Sequence, residues 1–142
     1  MEKKEIVNRI QTFFQDRVDV ILVYLFGSHV TGYTHSESDI DIAVMVKPIS
    51  TTDAVELIKE LTIKLSEVLD ECPVDVLILN HTDIQIRFNI IKTGELLINR
   101  DERTRIFFEQ MTINEYLDTL PLWESYDRVM LERIKEGSFG GR

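Results

Sequence analysis

The chain has 142 residues, of which 44% are hydrophobic and 29% charged, the make-up of an average globular domain with material for one core. Its 16 basic residues against 25 acidic ones leave a formal net charge of -9, which opposes the counterion-release attraction of proteins to long nucleic acids, so direct DNA or RNA binding is not expected. The longest apolar run, Val20 to Phe26, is too short to span a bilayer. Met1 to Val7 does not read as a secretory signal, and the single cysteine, Cys72, can form no disulfide within the chain, so the expected location is cytoplasmic with no membrane association.

Taken in chain order, Glu2 to Gln15 places Ile6, Ile10, Phe13 and Phe14 at helical spacing and predicts an amphipathic helix. Val18 to Phe26 is β-branched and aromatic and stops at Gly27-Ser28, as a buried strand entering a turn does. A polar stretch, His29 to Ser38, leads into a second strand, Ile40 to Val46, closed by Lys47-Pro48. Asp53-Ala54-Val55-Glu56 fits a capping box, with Ile58, Leu61, Leu65 and Val68 behind it, so a helix is expected from Asp53 to Leu69. Val74 to Leu79 reads as a third strand with one acidic residue, Asp75, set among apolar ones. Ile84, Phe88 and Ile91 mark a helix ending at Gly94, and Glu95 to Ile98 a short edge strand. The remainder predicts two helices, Asp101 to Thr119 and Leu122 to Lys135, separated by Pro121, which cannot donate a hydrogen bond inside a helix. Leu122, Tyr126, Val129 and Arg133 fall along one side of the second, and its aromatic and aliphatic residues, Trp123 and Tyr126 among them, are expected to pack into the core. The glycine-rich tail from Gly137 to Arg142 is expected to fray.

The segment that carries chemistry runs from Gly27 to Asp41. Gly27 lets the backbone turn sharply and come close to a ligand, and Ser28 adds an amide and a hydroxyl that can bond phosphate oxygens. Asp39 and Asp41 stand two apart, so their carboxylates project from one face and can share a divalent ion. Asp75 on a neighbouring strand can add a third carboxylate. Taken alone, it also fits an acidic residue on the open face of a half-exposed strand. Three carboxylates around two magnesium ions make the arrangement for nucleotidyl transfer, with Asp75 the candidate to accept the proton of the attacking hydroxyl. Gly-Ser alone is usually a turn and Asp-x-Asp alone a solvated edge. Their order here, strand, Gly-Ser, loop, Asp-x-Asp strand, helix, strand with a lone Asp, is what favours the functional reading.

Gly27-Ser28, ten residues, Asp39-x-Asp41 and the later Asp75 resemble the nucleotidyltransferase superfamily of DNA polymerase beta. Gly32 and Ser38-Asp39-Ile40-Asp41 resemble pieces of its minimal nucleotidyltransferase (MNT) branch, and the short length, the Gly94 to Ile98 strand and the helical ending resemble MNT-domain antitoxins, which are encoded beside HEPN-domain ribonuclease toxins. The resemblance implies an α/β fold of the α+β type: a small mixed sheet of about four strands, helices mainly on one face and a helical C-terminal region. It also implies one nucleotidyltransferase domain over 1-142, with a core to about residue 100 and a helical extension over about 101-136. The implied activity is magnesium-dependent transfer of AMP from ATP to a tyrosine of the HEPN toxin, with Asp39, Asp41 and Asp75 catalytic and metal-binding and Gly27 and Ser28 on the nucleotide. Two other readings stand beside it: an antitoxin that inhibits by direct binding alone, and a nucleotidyltransferase acting on another hydroxyl acceptor. Many relatives carry an arginine just after Gly-Ser where this chain has His29, Val30 and Thr31. His29, Arg100, Arg103 and Arg105 are the candidates to replace it.

Overall fold

The computed structural model describes residues 1-27 and 39-136, the side chains of Trp123, Glu124 and Glu136 excepted. Helix α1 (Lys3–Phe14) buries Ile6, Ile10 and Phe14 at the spacing read from the sequence. Strand β1 (Val20–Phe26) follows, then β2 (Ile40–Val46), helix α2 (Thr51–Val68) and β3 (Val74–Ile78). A single 3-10 turn (Leu79–His81) leads to α3 (Ile84–Thr93), β4 (Glu95–Asn99) and a long last helix, α4 (Glu102–Glu136).

The four strands form one mixed sheet in the order β3-β2-β1-β4, with β1 antiparallel to both β2 and β4 and β2 parallel to β3. Parallel neighbours need a crossover long enough to return the chain to the same end, and α2 supplies it. Ile40, Ile42, Val44 and Val46 point to one face, where they meet α1 and Leu61 and Leu65 of α2 in the main core. The alternate positions, Ala43 and Met45 of β2 with Leu22 and Tyr24 of β1, point to the other face and meet Ile90 of α3 and Phe108 of α4. Asn80 fastens the far end of β2: its side-chain amide donates to the Val46 carbonyl at 2.8 Å and accepts from the Val46 amide at 3.0 Å.

Helices thus pack on both faces of the sheet, not mainly on one as the resemblance implied, and two local expectations also differ from what is found. Helix α2 starts at Thr51 with Ser50 as its N-cap, the Ser50 hydroxyl accepting from the Asp53 amide at 3.1 Å. Asp53 therefore lies inside the first turn, where its charge suits the positive end of the helix. The second is Pro121, which lies within α4 and does not separate two helices. The ring withholds one bond, to the carbonyl one turn earlier. Residue Leu117, which carries that carbonyl, is half exposed, so water can take the donor's place. No described helix is long and apolar enough to cross a membrane.

Candidate active site

Strand β1 ends at Gly27, whose φ of +79° lies in the left-handed region that side chains with a Cβ rarely adopt. A second constraint acts on the same atom position. A Cβ placed there would lie 2.0 Å from Oδ2 and 3.0 Å from Cγ of Asp41. The turn and the carboxylate are thus packed against each other, and only glycine leaves room for both.

The register explains why these two residues meet. Phe26 at the end of β1 pairs with Asp41, and Asp41 in turn pairs with Asp75 across the parallel β2-β3 ladder. Neighbouring strands lie about 4.8 Å apart, and residues directly opposite share a face. Asp41 and Asp75 are consequently side by side on the face that also carries Ala43 and Leu77. Asp41 is half-buried and Asp75 exposed. Asp39 stands one residue ahead of β2, exposed, two positions from Asp41. An apolar sheet face therefore ends in a band of acidic residues, at the starts of β2 and β3 and the end of β1. Ser28, His29, Val30, Thr31 and Gly32 lie outside the described residues.

Carboxylate oxygens are the hard donors that magnesium prefers, and the backbone brings two of the three acidic positions into direct register. Among the described residues, however, no group of three or more His, Cys, Asp or Glu side chains is gathered as a metal site. The set fits magnesium in donor type and in strand placement, with its side chains still spread.

The arginines proposed as substitutes for a phosphate contact are placed elsewhere. Leu22 pairs with Asn99, so the chain that leaves β4 emerges four residues before Phe26, about 13 Å along the strand from the acidic end. There the Arg100 guanidinium donates to the Phe14 carbonyl at the end of α1, and the Arg100 amide donates to Ile21 at 3.0 Å. Arg105 donates to Glu102 and to Glu109, while the Arg103 amide caps on Asp101 at 3.1 Å. Arg100 thus braces the opposite end of the sheet, and Arg105 is committed to two acids of its own helix. Arginine type alone could not reveal this, because it is the strand direction of β4 that carries them away.

Tyr24, which the sequence pattern does not single out, also takes part in this frame. Its hydroxyl donates to Glu109 at 3.1 Å, tying the middle of β1 to the first turns of α4. Burial, then the nearby Glu109 charge, pushes its ionisation well above the usual tyrosine range. A tyrosine as the one hydroxyl in an otherwise non-polar strand is the available signal, since a buried hydroxyl needs a partner.

No curated protein matches the chain. Among solved structures, a chain of a toxin-antitoxin with AMP-PNP superposes with a TM-score of 0.70 at 28% identity, covering 87% of this chain and 98% of that one. A chain from the tri-AMPylated Shewanella oneidensis HEPN toxin in complex with MNT antitoxin gives 0.66 at 25% identity, over 90% and 98%. One from the toxin-antitoxin MntA-HepT gives 0.65 at 25%, over 89% and 98%. The family described as polymerase beta, nucleotidyltransferase matches residues 8–103, a span that includes β1, Gly27, the Asp41–Asp75 pair and β4. More than half of the sequence falls within that match, and this chain belongs to the polymerase beta nucleotidyltransferase family.

Proposed function

We propose that the chain is the antitoxin of a toxin-antitoxin pair and a protein adenylyltransferase, one nucleotidyltransferase domain that moves AMP from ATP to a tyrosine of a HEPN ribonuclease toxin and so silences it. The observation that carries this reading is the meeting of Gly27 with Asp41 and of Asp41 with Asp75 at one end of the sheet, inside a nucleotidyltransferase-family match. Support for the substrate and the acceptor comes from similar structures, one with AMP-PNP and one with a tri-AMPylated HEPN toxin.

The chemistry is displacement at the α-phosphorus: the tyrosine oxygen forms the new P–O bond, the bond to the bridging oxygen breaks, and pyrophosphate leaves. In this reading Gly27, with no Cβ, and Ser28 hold the triphosphate against the end of β1. Asp39 and Asp41 would hold magnesium, as would Asp75, which is set to take the tyrosine proton. Bound there, the divalent ions would neutralise charge on the phosphates and favour the ionised acceptor. The half-burial of Asp41 fixes its carboxylate beside the turn, and the exposed Asp75 leaves its side open to an incoming protein acceptor.

The test is α-labelled ATP with magnesium and the HEPN protein encoded beside this chain. Labelled toxin, with AMP mass on a tyrosine and loss of label in Asp39→Ala/Asp41→Ala, is the expected result. An unlabelled toxin would overturn the transfer reading in favour of inhibition by binding alone, and equal labelling by the double variant would overturn the assignment of Asp39 and Asp41.

A further inference from the structure

The last helix continues past the body of the protein. Its first half is packed: Phe108 and Thr112 are buried, Phe88 of α3 stacks on Tyr116 with ring centroids 3.8 Å apart, and Arg87 pairs with Glu115 at 2.7 Å. From Pro121 to Lys135 every described side chain is exposed except the half-buried Met130. Tyr126, expected to enter the core, does not do so, and the Trp123 side chain lies outside the described residues. Leu122 is 73% exposed, Tyr126 57% and Val129 45%.

These three stand at i, i+4 and i+7, so they form one stripe. Leu122 and Tyr126 lie fourteen residues beyond Phe108 and Thr112, which at 100° per residue returns them to nearly the same side of the helix. The stripe that packs the near half of α4 on the sheet thus runs on beyond it, left exposed by the described residues.

We infer that the outer half of α4, centred on Leu122, Tyr126 and Val129, is the surface by which this chain grips its toxin, apart from the acidic end of the sheet. This rests on the antitoxin reading above. The stretch from Pro121 to Lys135 carries three acidic and three basic residues, so it is the net charge of the whole chain that favours a basic occupant. A second copy of this chain would bring one net charge of -9 against another. A ribonuclease must hold a phosphate backbone and carries positive surface to do so, which makes it the complementary partner. The form of contact is an amphipathic helix laid in an apolar groove. From Pro121 to Lys135 the exposed segment is about 22 Å long, an anchor within a wider interface of about 800 Å² per partner.

The experiment is Leu122→Glu/Tyr126→Glu in the full chain, with Ile63→Glu as control, since Ile63 is equally exposed, at 61%, on α2. Affinity for the HEPN protein encoded beside the chain is read by biolayer interferometry, mass by sedimentation, and AMP transfer as a function of toxin concentration. The expected result is affinity weakened about tenfold or more, with KM for toxin raised, kcat kept and helicity by circular dichroism unchanged. Ile63→Glu should behave as wild type. Binding within twofold of wild type would overturn the inference. So would a wild-type dimer that the double variant dissolves, or a wild-type chain that does not bind the toxin. If the wild type binds and the variant does not, yet neither transfers AMP, the docking surface stands and the transfer reading falls.

Discussion

Replacing Gly27 by alanine tests the contact on which the proposed site depends. Two costs are separable. Holding alanine at φ +79° costs about 1 kcal/mol of backbone strain, more if the turn cannot relax. The new methyl would also lie 2.0 Å from Asp41 Oδ2, so the carboxylate must swing off its preferred rotamer, for about 1 kcal/mol more. The expected loss in urea unfolding is therefore about 2 kcal/mol, a fall in Tm of roughly 6–10 °C for a chain of this size. A displacement of the carboxylate by an ångström or so should lower AMP transfer about a hundredfold. The two costs are resolved by a double-mutant cycle with Asp41→Ala, in which the Oδ2 contact is gone and only the strain remains. Gly27→Ala should then cost about 1 kcal/mol, a coupling of about 1 kcal/mol between the two positions. An equal penalty in both backgrounds would mean that turn and carboxylate do not touch, and the site as described would be wrong.

Two further outcomes concern Arg100 at the other end of the sheet and Tyr24 in the middle of β1. Arg100→Ala should cost about 1.5–3 kcal/mol in urea unfolding, because the α1 carbonyls lose a charged donor, while KM for ATP stays at the wild-type value. A rise in KM for ATP with stability unchanged would return Arg100 to the list of phosphate contacts. Tyr24 is held protonated by burial and by Glu109, so its folded-state pKa lies above its unfolded value near 10. The stabilisation is fully present below pH 10 and is lost as the pH rises from there through the folded pKa. Tyr24→Phe should cost about 1 kcal/mol at pH 7 and show a shallower decline of stability above pH 10. Parallel declines of the two proteins would refute the assignment.

The strands were legible because each ends abruptly: β1 at Gly27, β2 at Lys47-Pro48, and β2 matched its expected span of Ile40 to Val46. The order of the motifs, with the resemblance to polymerase beta nucleotidyltransferases, also grouped Gly27 with Asp41. What it could not supply was register, and it is the parallel pairing of β2 with β3 that puts Asp75 opposite Asp41. The reading of the last helix failed for a related reason. An apolar stripe says that a face is to be covered without saying by what, and no described residue of the chain buries Leu122 or Tyr126. Pro121 misled because a proline costs one bond and a local adjustment, which a helix packed over several preceding turns can absorb. The capping residue shifted by one turn position because Ser50 and Asp53 are both competent caps, and only the path of the chain out of β2 selects between them.

The parallel pairing of β2 with β3 has a further consequence. Side chains alternate between faces along a strand, so a slip of β3 by a single residue would turn Asp75 toward α2 and the main core and expose Val74 and Val76 in its stead. Such a slip both buries a charge and strips the core, and the protein has no stable misaligned form to occupy. Correct folding and correct alignment of the carboxylates are thus one event. In the adenylyltransferase reading proposed above, a chain that has folded is therefore one whose Asp41 and Asp75 already stand side by side.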